Sequence, residues 1–303
     1  MLHESERGKG AEMVFTRLKD RLWLFNAIVA TALWGVWGAF MEIPEKSGFP
    51  ATLGYCVWAL TLSPVAAVAL KLSGWKLETD SRSASLGTLA GLLGAGGQLI
   101  LFETLRLGPA YLVFPVISLY PALAVVLSLL FLKERASRRA SVGIALALLA
   151  IGLLSYQPPS GSPTQGHLWL LLAMASFLMW GLQGFMVISL SKKMRTGSIY
   201  CYMTISALAL APIAWWMTDF SQPVYLGFKG PYLTTIVQSL NSLGNLFSLL
   251  ALRQGIGIVI VPLTSLAPVL TILLSLAIYG VIPHPVLIAG MVSAVIAMYL
   301  LAG

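Results

Sequence analysis

The chain has 303 residues, of which 58% are hydrophobic and only 10% charged, and its mean hydropathy is +0.85. A soluble domain of that size would have no polar skin, so the composition excludes one and indicates a membrane protein. The formal net charge of +8 needs no nucleic acid to explain it, because basic residues collect beside an anionic inner leaflet.

A helix needs about 20 apolar residues to cross a hydrocarbon core roughly 30 Å thick. Ten such runs are present, near 22–42, 51–70, 84–105, 110–132, 139–156, 167–190, 198–218, 231–251, 256–280 and 284–302. Barrel strands would alternate apolar and polar residues, whereas "SVGIALALLAIGLL" is apolar all round. The expected fold is therefore all-α, with ten transmembrane helices. Residues 1–21, containing "ERGKGAEMVFTRLKDR", read as a charged tail that skims the membrane. The first run is too long for the apolar region of a signal peptide and is read as a retained span.

Lysine and arginine placement sets the orientation, since cytoplasmic loops retain positive charge. The tail and every second loop after it contain 16 of these residues, and the intervening segments contain 3. Both ends are expected in the cytoplasm of a multi-pass cell-membrane protein.

The first span contains Trp34-Gly35-Val36-Trp37-Gly38, and the sixth contains Trp180-Gly181-Leu182-Gln183-Gly184, 146 positions later. At an offset of 147, Gly97, Arg106, Gly108, Pro115, Ser118, Pro121, Leu127, Ser128 and Gly143 meet identical residues without a gap. Periodic Leu or Ala would align by chance, but Gly, Pro and Arg at a fixed offset do so much less easily. The repeat unit is five helices, so residues 22–156 and 167–303 form two repeats joined by a 157–166 linker. With an odd number of helices per half, the second enters the membrane upside down. Such inverted repeats place a substrate site near the midplane between halves and alternate access by rocking.

The segment "FLKERASRRASVGIALALLAIGLL", with Glu134 followed by Gly143 and Gly152, resembles the end of an EamA domain, and each early Trp-Gly resembles its beginning. From about residue 22 to residue 302 the chain resembles a ten-helix member of the drug/metabolite transporter superfamily. The resemblance implies transport of small organic molecules such as amino acids, nucleotide sugars or amphiphilic drugs. The second half departs from the pattern, with Val281 as the counterpart of Glu134 and Tyr299 as that of Gly152. Glu134 is accordingly read as a cytoplasmic helix cap or salt-bridge partner.

Candidate site residues follow from polarity at depth. Gln238, Asn241, Ser242, Asn245 and Ser248 share one face of the eighth span, where unpaired amides are costly and must face protein or water. Asn241 and Asn245 are candidate substrate ligands or, alternatively, interhelical glue. The matching face of the third span is Gly91, Gly94, Ala95 and Gln98, so a lopsided site is expected with Gln98 as that face's amide. Trp34, Trp37 and Trp180 lie inside their spans instead of in the interfacial belt. Together they could face an apolar, ring-bearing or cationic substrate, or simply pack. Gln183 stands where Trp37 has its counterpart.

Pro115 and Pro121 are expected to break the fourth span, and Pro262 and Pro268 the ninth, each freeing a carbonyl four residues earlier. These kinks either line the path or allow packing. Glu103, three residues before Arg106, and Glu42 at the end of the first span are the candidate proton-coupling carboxylates. Without them, exchange or facilitated diffusion would follow. His3, His167 and His284 are isolated, Cys56 and Cys201 are single, and no phosphate loop or metal-spaced cluster occurs. No enzyme activity, cofactor or metal is expected. The expected partners are the bilayer and a small-molecule substrate, with export of an amphiphilic or aromatic compound ahead of import or exchange of a polar metabolite such as a sugar. A non-transporting receptor or scaffold is the remaining class.

Overall fold

A computed structural model describes residues 21–107, 113, 116–154, 156, 168–279 and 284–302. Helices α1 (Leu22–Phe40), α2 (Glu42–Lys46), α3 (Ala51–Leu72), α4 (Ser81–Leu107), α5 (Tyr120–Leu127) and α6 (Arg138–Leu154) come from the first half. The second half supplies α7 (Leu168–Ser191), α8 (Thr196–Trp216), α9 (Leu233–Gln254), α10 (Gly257–Thr264), α11 (Ala267–Tyr279) and α12 (Pro285–Ala302). Single π-helical turns, Ser128–Leu132 and Phe228–Tyr232, extend α5 and precede α9. No strand occurs among the described residues.

Among the described residues, six helices are long and apolar enough to cross a membrane: the first runs Leu22–Lys46, the other five being α3, α4, α7, α8 and the stretch ending in α9. Shorter apolar helices cover Tyr120–Leu132, Gly257–Thr271 and Pro285–Leu301. The ninth predicted span is short because it is broken at Ser265–Leu266, between α10 and α11. Pro268 has no N–H to give the Thr264 carbonyl, so the helix must restart there, with proline harmless in its first turn. Pro262, by contrast, is accommodated inside α10. In the first half the matching turn falls at Ser118–Leu119, and Pro121 occupies the first turn of α5. Pro115 lies outside the described residues.

The packing exchanges the two halves. Helix α4 lies on α7 as α9 lies on α1; α3 lies on α9 as α8 lies on α4; and α7 lies on α5 as α1 lies on α11. The pairs α3 with α8 and α6 with α12 map onto themselves. Each half is thus completed by the other, and corresponding helices exchange their contacts.

Lipid gives helices no hydrophobic reason to associate, so close packing of small residues must hold them. Ala27, Ala30, Ala59, Ala90, Ala147, Ala150, Ala207, Ala251, Ala294 and Ala297 are completely buried. Outward faces carry large apolar side chains such as Phe131, Leu171 and Trp216, suited to hydrocarbon. Polar caps are confined to the ends: Asp80 accepts the Ser83 amide at 3.0 Å before α4, and its bonds to Ser83 hold its carboxyl below the usual carboxylate range.

Candidate functional site

The doubled Trp-Gly motif makes the same contact twice. Trp34 donates its indole N–H to the Asn241 carbonyl at 3.4 Å, and Trp180 donates to the Gly94 carbonyl at 3.0 Å; Gly94 and Asn241 are 147 residues apart. Each indole lies across a glycine of the other half. A Cβ on Gly244 would fall 2.6 Å from Trp34, and one on Gly97 would fall 2.6 Å from Trp180. The motif's own first glycines are equally constrained, since a Cβ on Gly35 would meet Leu270 at 2.6 Å and one on Gly181 would meet Leu123 at 2.5 Å. Both indole N–H groups are therefore satisfied within the protein.

The second tryptophan of the first motif behaves differently. Trp37 donates to the Gln238 side-chain oxygen at 3.1 Å and lines a cleft of about 640 Å³, including its open mouth. Helices α1 and α2 and the junction between them contribute Trp37, Met41, Pro44 and Glu45; α3 adds Gly54, Tyr55 and Trp58. Helix α4 supplies Gln98 and Phe102, and α9 supplies Thr234, Val237, Gln238 and Asn241. Both repeats thus wall one cleft. Asn245 does not line it but donates to the Asn241 side-chain oxygen at 3.3 Å, one turn along α9.

Of the other predicted site residues, Trp34, Trp180, Gln183 and Glu103 are not among the described residues that line this cleft. Gln183, where the first half has Trp37, lies against Gly94: a Cβ there would be 2.1 Å from its amide nitrogen. Trp180 packs edge-on against Tyr120, with 5.7 Å between ring centroids. Glu103 is half-buried on α4 next to the cleft residue Phe102. The Glu42 and Arg106 side chains lie outside the described set.

Sequence reasoning missed Tyr55 and Trp58, which meet edge-on at 5.2 Å. The available signal was an aromatic pair at i and i+3, placing both rings on one helix face. The lining residues Glu45, Phe49 and Thr234 were missed as well.

At the far end of α3, polar contacts join the segment that follows it to the start of α8. Glu78 accepts the Arg195 amide at 2.9 Å with its carboxylate, donates its own amide to the Ser198 hydroxyl at 3.0 Å, and takes the Tyr202 hydroxyl on its carbonyl at 2.6 Å. The Ser73 hydroxyl accepts the Gly197 amide at 2.9 Å, joining the end of α3 to the start of α8. Nearby, the Glu134 carboxylate takes the amides of Gly257 and Ile258 at 3.3 and 3.0 Å, capping α10. Lys192 donates to the Gly255 carbonyl; burial pushes its ammonium pKa down, and the Glu134 charge opposes that shift. The described residues include no cluster of three or more His, Cys, Asp or Glu able to hold a metal.

A chain of known crystal structure has the same fold, with a TM-score of 0.72 at 17% identity, covering 91% of this chain and 97% of that one. An uncharacterized protein of Methanocaldococcus jannaschii is 38% identical over 77 residues, which is 25% of this chain and 56% of that protein. The chain therefore spans about half the length of that curated relative. The family model for EamA-like transporters matches twice, over residues 21–156 and 167–303. Two matches that together take in nearly the whole chain place it in a family of multi-pass membrane proteins: the protein belongs to the EamA-like transporter family.

Proposed function

We propose that the protein moves a small organic molecule across the cell membrane by alternating access, through ten spans arranged as two inverted five-helix repeats with both termini cytoplasmic. The observation that carries this reading is the cleft walled by α1, α3, α4 and α9, helices of both repeats, with Glu45 in its lining, set against the polar contacts that join the far end of α3 to α8. In the proposed orientation Glu45 faces outward and Glu78 faces the cytoplasm, so the conformation is outward-open. Rocking the halves against each other would close the first end and open the second.

Ring-bearing or otherwise amphiphilic compounds are the proposed cargo, exported when their gradient or a coupling ion drives them outward. Trp37, Tyr55, Trp58 and Phe102 supply aromatic surface within the cleft. A second reading, import or exchange of a polar metabolite such as a sugar, draws on the amides of Gln98, Gln238 and Asn241 at the same cleft. The test is counterflow in liposomes containing purified protein, comparing labelled phenethylamine with labelled glucose. Gly54→Phe serves as a plug, because Gly54 lines the cleft and has open space where its Cβ would be, with the nearest atom at 4.0 Å. Counterflow abolished by the plug supports transport through the cleft, the favoured solute distinguishes the two cargo classes, and counterflow unchanged by the plug contradicts this route.

Glu103 is the proposed proton carrier, as a half-buried carboxylate on a cleft-lining helix. Glu103→Gln is expected to abolish uphill transport driven by a pH gradient while leaving counterflow intact. Uphill transport at the wild-type rate would remove Glu103 from coupling.

A further inference from the structure

Among the described residues, three side-chain amides line the cleft: Gln98 from the first half, and Gln238 and Asn241 from the second. Two of them have their oxygens engaged inside the protein. The Trp37 indole can only donate, so it holds the Gln238 oxygen, and the Asn241 oxygen takes an N–H of Asn245. Gln98 differs, because its amide makes no hydrogen bond among the described residues. The one buried side-chain nitrogen or oxygen without a partner among them is the Trp58 indole nitrogen, so both amide atoms of Gln98 are accessible and not sealed inside the protein.

The sequence explains why this amide is left free. Its counterpart 147 residues on is Asn245, which bonds to Asn241 one turn earlier. One turn before Gln98 stands Gly94, which has no side chain to offer. Glycine is needed there, since its carbonyl takes the Trp180 N–H and an added Cβ would meet the Gln183 amide. Other faces of α4 are covered by the second half, with Gly97 under Trp180 and Gly91 against Ser206. One turn beyond Gln98, Phe102 lines the same cleft and meets Tyr55 edge-on, with 6.5 Å between centroids. The side of α4 that carries Gln98 and Phe102 is thus its cleft side.

A free carboxamide offers an acceptor and a donor side by side. Its complement is an N–H donor beside an acceptor, the pairing by which glutamine reads the edge of adenine. A cargo without that complement would strip water from both amide atoms and leave them unpaired, which is costly. The rings of Trp37, Tyr55 and Phe102 supply flat apolar surface in the same cleft.

On the reading of the cleft as the transport site, we propose that Gln98 is its specificity-determining residue: the cargo is a flat heteroaromatic molecule with an N–H donor beside a ring-nitrogen or carbonyl acceptor, as on an aminopurine. Its edge pairs with the Gln98 amide through two hydrogen bonds while its ring lies among the cleft aromatics.

The test is calorimetric binding to the purified protein in lipid nanodiscs, using three probes that share one ring system. The probe 9-methyladenine has an exocyclic N–H beside ring acceptors, 9-methylpurine lacks the exocyclic amine, and 6-dimethylamino-9-methylpurine keeps that nitrogen without its hydrogens. The wild type should bind 9-methyladenine about tenfold or more tightly than either of the others, the worth of one bidentate pair. Gln98→Leu should remove that preference and change 9-methylpurine by less than about twofold. Equal binding of the three probes by the wild type, a preference that survives Gln98→Leu, or no binding by any probe would each overturn the assignment. The first comparison needs no variant and stands even if Gln98→Leu folds poorly. Gly54→Phe separates this result from the transport reading. If the preference fails while the plug still abolishes counterflow, the cleft remains the route and the Gln98 assignment alone falls; if 9-methyladenine binding survives the plug, the cleft is not its site and the assignment falls as well.

Discussion

At the residue scale, tryptophan and glycine act as one unit across the two halves. The indole of Trp34 rests on Gly244 and that of Trp180 on Gly97, and each N–H reaches a backbone carbonyl one turn away. A methyl group at either glycine displaces an indole and breaks a buried bond. Overpacking of this kind costs about 1–3 kcal/mol, so Gly244→Ala should lower thermal stability by that order. Gly152→Ala, with nothing within 4 Å of its added Cβ, should leave melting within error, and equal melting of the two variants would contradict the packing. The motif and the amide stripe of α9 were legible in the sequence, because glycine, tryptophan and asparagine stand out in apolar runs. Trp58 was not, since a buried indole nitrogen without a partner among the described residues is a property of the neighbours that tertiary structure brings.

At the element scale, the broken ninth span shows what hydropathy misses. The run 256–280 contains no charged residue, yet Pro268 forbids the bond that would carry the helix past Thr264. Helix α10 is only eight residues long and begins at Gly257, where its first amides are buried and need acceptors. Glu134 supplies the missing acceptors for Gly257 and Ile258, so of its two expected roles, helix cap or salt-bridge partner, the structure shows the cap. Glu134→Ala should therefore cost about 1–2 kcal/mol in stability, and Glu134→Gln less, since one amide oxygen remains. Thermal unfolding of the two variants measures this, and identical melting of Glu134→Ala and the wild type would show that the cap contributes nothing. The counterpart Val281 lies outside the described residues, and valine has no side-chain acceptor with which to repeat this cap.

At the scale of the whole molecule, the 147-residue offset seen in sequence reappears as exchanged contacts between halves. It was legible because one packing problem solved twice selects the same small residues at corresponding places. The cleft was less legible, because it lies where the correspondence fails: Trp37 faces Gln238, while its counterpart Gln183 lies on Gly94. The two ends of α3 differ accordingly, one lining the cleft and the other bonded through Ser73 and Glu78.

The central claim is that these ends open in turn, and labelling at Gln238 tests it most directly. With Cys56 and Cys201 replaced by alanine, Gln238→Cys should react with a membrane-impermeant maleimide added outside intact cells. Cutting the opposite latch with Ser73→Ala and Glu78→Ala should slow that reaction severalfold, because weakening the closed inner end shifts the population toward the inward-open state. Labelling that is unchanged or faster in the latch variant, or that occurs only from the cytoplasmic side, would contradict alternating access in this orientation.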